Sequence, residues 1–591
     1  GDGEHSLAAG TNITGTIHGG NKADASGNTL NVKTNAQAGN IKNFETIKLT
    51  LKSGAFNPAN SLLRLTGGAQ TTDLDWSKLD VDTTALAAAP KSYEAYRVKL
   101  MENANGISFM KGATNTYASL GAKERTQGDL EYVIDTDNHT ANAANSVDLE
   151  AYQFRNKQNA AFTAADGTKA EAWGGRTKVG NKVENNKLTV SGGTLTQAAY
   201  GGLAENFKRD DHGNLKTTGD AEKNSLILNA GANTLNAYGA QVRTKSGSAA
   251  ENTATLNAGT VNGSLYGASL SAAGATGNAT KNHVEIKGGT VAGTVYGSHI
   301  ADGAATGNAT ASTVTVTGGT VAGDIYAGFT NGTGKTTGNT VNLGDGEHSL
   351  AAGTNITGTI HGGNKADDAG NTLNVKTNAT AGNIKNFESI KFTINSSALN
   401  PANPMLTLTA GATGNLDWGK LTVDATKFNS TIRTYEAYNL KLMQNAAGID
   451  FNKNSTDTYT ANGGIKNVTS GNFEFSIDTL GSGVHTTEVR AAGYQYKNHT
   501  TATYAAADGS HAEAWAGRTA VGNKVENNKL TVTGGTITTA AYGGLVINNK
   551  PAATAGDAEK NTVAVTGGTV ANVYGAQVRT KAGSASENSA K

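Results

Sequence analysis

The chain has 591 residues, 37% of them hydrophobic and 6% aromatic, with 76 glycines, five prolines and no cysteine. So little apolar and aromatic material excludes one large globular core, and glycine without a strict three-residue period excludes collagen. Forty-nine Lys and Arg against 48 Asp and Glu, interspersed, leave a net charge of +1, which excludes a basic nucleic-acid stripe, while recurrent β-branched runs argue against disorder.

Residues 1–55 begin with GDGEHSLAAGTNITGTIHGGNKAD, which returns unchanged at 344–367, an offset of 343. Further blocks return as well: SYEAYRVKLM (92–101) as TYEAYNLKLM (434–443), and YGAQVRTKSGSAAEN (238–252) as YGAQVRTKAGSASEN (574–588). The chain is therefore one unit of about 343 residues followed by most of a second. No secretion signal opens it and no apolar run reaches about 18 residues, so any membrane attachment is expected through a part outside this chain. The lack of cysteine suits a polypeptide that crosses an oxidising compartment unfolded, though compositional drift leaves the same trace.

Between 56 and 165, and again between 399 and 508, the texture changes. Pro58, Pro401 and Pro404 stand at the entries. YRVKLM (96–101), LEYVID (130–135) and EAYQF (150–154) read as longer alternating strands, matched by YNLKLM (438–443), FEFSID (473–478) and GYQYK (493–497). Trp76, Trp418 and all four methionines fall in or beside these segments. Each is expected to be a compact, β-rich, antiparallel subdomain inserted at one loop; longer irregular rungs are the alternative. At the exits, EAWGGRT (171–177) and EAWAGRT (513–519) set Trp173 with Arg176 and Trp515 with Arg518. These are candidate ligand contacts, as a sugar platform, or packing caps at the junction.

From 166 to 398, and from 509 to 591, a shorter sentence repeats. Its pattern is N-x-[LV]-x-[VIL]-x-[GA]-G-T-[VL]-x-x-x-[VIL]-Y-G, beginning at Asn186, Asn252, Asn282 and Ser312, then at Asn528 and Asn561, with a looser start at Asn224. Tyr200, Tyr238, Tyr266, Tyr296 and Tyr326 follow at spacings of 38, 28, 30 and 30, and Tyr542 and Tyr574 occupy the same slot in the second unit. Two short alternating strands per rung, a glycine corner and a variable polar loop describe an all-β parallel solenoid of about 30-residue rungs, expected over 1–55, 166–398 and 509–591. The asparagines are expected to stack as an amide ladder and the tyrosines as a ring ladder. His18 and His361, in TIHGG, take the tyrosine slot.

Signs of catalysis are sparse. A lyase or hydrolase site needs convergent carboxylates on successive rungs, yet Glu285 and Asp324 stand singly. DTDNH (135–139) resembles a carboxylate pair, but its counterpart DTLGSGVH (478–485) loses Asp137. GDGEHS (1–6, 344–349) lacks the tandem repetition of calcium-binding turns, and GTGKTTG (332–338) misses the phosphate-loop spacing. No catalytic residue, cofactor or metal is expected.

By the rungs GGTVAGTVYGS (288–298) and GGTVAGDIYAG (318–328), the Asn-led strands and the missing cysteines, the solenoid parts resemble the passenger region of large bacterial autotransporters and filamentous adhesins. The resemblance spans somewhat over half the chain and leaves the inserts unassigned. It implies a right-handed β-helix and a fibrous protein of the bacterial cell surface or extracellular space. Its expected partners are glycans or proteins of a host or neighbouring cell, or further copies end to end as a filament or surface layer. The outer-membrane barrel and the secretion segment usual in that family are not within these residues.

Overall fold

In HVEI, residues His283–Ile286, Val284 and Ile286 are fully buried while His283 and Glu285 are half-buried on the opposite side. Lys187–Val190, Ser225–Leu228 and Thr253–Leu256 repeat that alternation, which is the period of a strand with one face in a core. These strands belong to a computed structural model that describes every residue except 1, 3, 9–10, 23–26, 71–73, 88–89, 111–116, 129, 142–143, 154–158, 209–216, 366–368, 429–432, 454–458, 460–463, 472, 496–500 and 549–554. Two of the expected strands end outside the described residues, at 154 and at 496–497. Parallel sheets stack as a β-solenoid of about 16 turns, with a spacing near 30 residues.

The chain forms two compact units: residues 1–285, 289–312 and 328–335, and residues 286–288, 313–327 and 336–591. In the first, three parallel sheets enclose the core of the regular rungs. One contains Ala160–Phe162, Lys187–Val190, Ser225–Leu228 and Thr253–Leu256. A second runs through Thr168–Thr177, Thr194–Ala204, Asn233–Val242, Leu265–Leu270 and Val295–Ile300. The third is made of two-residue strands, Val183–Glu184, Ala221–Glu222, Ala249–Ala250, Ala279–Thr280 and Ala309–Thr310. That third face corrects the expectation of two strands per rung. Its residues fell in what reads as a polar loop, because two residues are too short to display alternation. Ala221, Ala249, Ala279 and Ala309 nonetheless pack into one buried cluster with Val183, Val242 and Leu270.

Each rung turns at two left-handed corners. The second residue of the Gly-Gly or Ala-Gly pair takes φ of 77° at Gly193, 93° at Gly259 and 75° at Gly289. The residue before the leading asparagine does likewise although it carries a side chain: Asn185 at 56°, Lys223 at 54°, Glu251 at 57° and Lys281 at 54°. A β-carbon in that region costs roughly 1 kcal/mol. Lys281→Gly is therefore expected to protect its rung by up to about 1 kcal/mol, offset in part by glycine's greater freedom when unfolded, as read by amide hydrogen exchange.

Parallel pairing does not stop at residue 55. Ile13–His18, Ala36–Lys42, Leu63–Leu65 and the middle (Met101–Asn103) of the long strand Tyr96–Ile107 pair in parallel, as do Thr29–Val32, Thr46–Lys52 and Leu79–Ala85. Tyr96–Ile107 then carries an antiparallel sheet of Ala144–Gln153, Leu130–Thr136 and Lys123–Gln127. The two readings of the insert thus merge, with irregular rungs giving way to antiparallel strands on the same sheet.

The second unit repeats the arrangement. Ala379–Ala381, Leu406–Leu408 and Tyr438–Asp450 are parallel, and His485–Gln495, Phe473–Thr479 and Lys466–Ser470 continue antiparallel. Among the described residues no helix is long and apolar enough to cross a membrane.

Candidate functional site

Asn186, Asn224, Asn252 and Asn282 are buried and linked side chain to side chain, each Nδ2 donating to the Oδ1 of the next at 3.0 Å. Each Oδ1 also accepts from the backbone N–H of the preceding asparagine, at 3.2, 2.9 and 3.0 Å. At the end of the series the Nδ2 of Asn282 donates to Ser298 Oγ at 2.9 Å, and Ser298 meets Ser312 at 2.6 Å. Shorter hydroxyls thus replace one amide. Asn528, Asn561 and Asn588 repeat the ladder at 2.9 and 3.0 Å. Asn339 and Asn371 form a further step at 3.2 Å. NTVNL and NTLNV carry this step at the head of alternating strands, outside the rung pattern read from the sequence. From Asn186 to Asn282 and from Asn528 to Asn588 the amides bond to one another and to the rung backbone, so these residues hold register.

The rings of Tyr200, Tyr238, Tyr266 and Tyr296 stack at 5.2, 4.5 and 5.1 Å, within 15° of parallel. Tyr326 stacks on His361 at 4.2 Å, and Tyr542 on Tyr574 at 5.5 Å. His18 pairs in register with Lys42. His299, three residues past Tyr296 on the same strand, lies against Tyr266, Tyr296 and Phe329 at 5.3, 4.5 and 5.3 Å, with Ser269 Oγ 3.2 Å from its Nδ1. Burial among these rings pulls its pKa from the ordinary 6.5 down to about 4. A base whose folded pKa is depressed contributes its full share above pH 6.5 and loses it as pH falls to about 4. Exchange protection of Val295–Ile300 is expected to fall over that window in the native chain and not in His299→Phe.

Trp173 and Trp515 are 5% and 4% exposed, too buried to present a ring face to a sugar. They stand in register with Tyr200 and Tyr542 and so begin the ring ladders. The guanidinium groups of Arg176 and Arg518 cover them at 4.8 and 4.6 Å. The Trp173 N–H donates to the Ser92 carbonyl of the insert at 2.7 Å, and Trp515 does the same to Thr434. Arg176 grips Glu205 through Nε at 2.9 Å and Nη2 at 2.8 Å, and Arg243 joins that carboxylate at 2.8 Å. This geometry makes a junction.

A buried carboxylate that sequence reasoning missed completes it. Glu131, on an insert strand, accepts from Thr177 Oγ1 at 2.8 Å, the Lys178 N–H at 3.0 Å and Asn181 Nδ2 at 2.6 Å, and burial raises its pKa. Glu474 is held identically by Thr519, the Ala520 N–H and Asn523. No sequence signal singled them out: Glu131 shares its strand face with Val133 and Asp135, and Glu474 with Ser476 and Asp478, opposite the apolar phase.

A groove of about 1100 Å³ is lined by the first insert together with residues of the adjoining rungs. Arg64, Arg97, Lys99 and Lys178 line it opposite Glu102, Asp135, Asp137, Asp148 and Glu150, with Phe207 also in its wall. Arg97 pairs with Glu150 at 2.5 Å, Lys178 with Glu150 at 3.3 Å and Lys99 with Glu102 at 3.7 Å. The apparent carboxylate pair of DTDNH is used locally. Asp135 accepts from the Thr136 N–H at 2.8 Å and lies 2.7 Å from His139, while Asp137 accepts from the Asn145 N–H at 3.0 Å. In the second unit's GDGEHS, Asp345 likewise closes its own turn, accepting from the Glu347 and His348 N–H groups at 2.8 and 2.9 Å.

No protein-family model matches the chain, and comparisons with curated proteins and with solved structures give no match.

Proposed function

We propose that this chain is a non-catalytic stalk and adhesin of the bacterial cell surface, carrying one attachment module per 343-residue unit. One observation carries the reading. The rungs repeat with their internal ladders intact, adding turns without adding chemistry, while each unit displays its insert once. Repeated display of one module raises avidity without any new contact, which is what surface attachment rewards.

The test is retention under flow. Beads coated with the purified chain are expected to hold to mucin, epithelial cells or neighbouring bacteria several-fold more than albumin-coated beads. Equal retention, or steady turnover of a cell-wall or plant polysaccharide by the chain, overturns the reading.

A further inference from the structure

The two inserts share a scaffold, yet the groove's own strand pairs are rewritten between them. Arg97 opposite Glu150 becomes Asn439 opposite Ala492. Lys99 opposite Asp148 becomes Lys441 opposite Arg490, and Glu102 opposite Ser146 becomes Gln444 opposite Glu488. On the other face of the same strands, Met101 opposite Val147 becomes Met443 opposite Val489, still apolar and fully buried. Exposure alone does not explain the changes. Along the solenoid, half-exposed Lys182 and its partner Glu184 return as Lys524 and Glu526, and residues 1–24 return without a single change. At the groove, the outward polar pairs change while the buried pair beneath them keeps its apolar character.

We propose that the first groove binds a neutral oligosaccharide, and that the second insert, changed at the same positions, selects a different one. Four cationic and five carboxylate side chains nearly cancel, so the lining holds no field for a polyanion. Its apolar members, Ala36, Pro58, Ala59, Val98, Val133 and Phe207, are scattered and form no anchor pocket of the kind that protein partners fill. Donors and acceptors side by side suit hydroxyl groups, each of which gives one hydrogen bond and accepts others. Phe207, 46% exposed with Lys178 5.3 Å from its ring, supplies an apolar face for a pyranose ring.

This rests on the adhesive reading and names its ligand. The full chain is titrated with maltohexaose, cellohexaose, chitohexaose and an N-acetyllactosamine hexasaccharide, with a heparin hexasaccharide and an extended Ser/Thr-rich peptide as competing classes. Binding of at least one neutral hexasaccharide is expected. Arg97→Asn/Glu150→Ala, which installs the pair the second insert already carries, is expected to weaken one subset of the panel at least tenfold and leave another unchanged. Phe207→Ala, at an exposed position, is expected to weaken the same subset. No neutral binding, a preference for heparin or peptide, or a profile unmoved by both variants overturns the proposal. Bead adhesion that persists while the panel stays silent removes the groove and spares the adhesin; loss of both removes the adhesin.

Discussion

Asn252→Ala is expected to lower the stability of its rung by about 3–5 kcal/mol, because it strands several buried groups at once. The Asn252 side chain accepts from the Asn224 N–H at 2.9 Å and from Asn224 Nδ2 at 3.0 Å. It donates to the Ala221 carbonyl and to Asn282 Oδ1, both at 3.0 Å. Alanine reaches none of these, no water replaces it in a site with no exposed surface, and each orphaned group costs roughly 1–3 kcal/mol. Since a solenoid is stabilised rung by rung, the loss is expected as faster amide exchange in Ser225–Leu228, Thr253–Leu256 and His283–Ile286, fading with distance along the stack. Asn257→Ala is the control. Its exposed side chain also bonds the preceding rung, donating to Asn229 at 2.9 Å, yet water is available there and a change below about 0.5 kcal/mol is expected. Equal effects from both substitutions would show that the ladder's burial is not what gives it weight.

The second large effect lies in the insert. Trp76 is fully buried, meets Phe109 edge-on at 4.9 Å and Tyr117 at 5.2 Å, and donates its indole N–H to the Gly121 carbonyl at 2.8 Å. Trp76→Ala removes that packing and leaves a cavity, an expected loss of about 3–5 kcal/mol. Exchange in Tyr96–Ile107, Leu130–Thr136 and Ala144–Gln153 should accelerate, while Ser225–Leu228 and Thr253–Leu256 keep their protection. Trp418→Ala should do the same to the second insert, where Phe451, Tyr459 and the Gly464 carbonyl take the corresponding places. Collapse of the regular rungs in either variant would mean that the solenoid depends on the insert's core.

Much of the molecule was legible because its signals are local and repeated. A period of two in HVEI, a glycine at one corner of each rung and an asparagine at most rung heads point to one fold, and the repetition averages away exceptions. The third face was not legible, since Ala249–Ala250 is too short to show a period. Nor was the clamp on Glu131, whose partners at Thr177, Lys178 and Asn181 lie 46 to 50 residues away. The pairing of Trp173 with Arg176 was visible, but its meaning was not. Composition suggests a sugar platform, and only burial to 5% exposure turns the pair into a ladder end.

What the amino-acid order determined by itself was the rung: its strands, its corners, and the residues that stack on their own images one turn away. Such contacts join equivalent positions, so the repeat period alone predicts them. What only the tertiary structure decided was the groove. Arg97 meets Glu150, and Lys99 meets Asp148, through the register of a long antiparallel pair with two irregularities. No period in the sequence encodes a contact between unlike positions, and there the two copies have diverged.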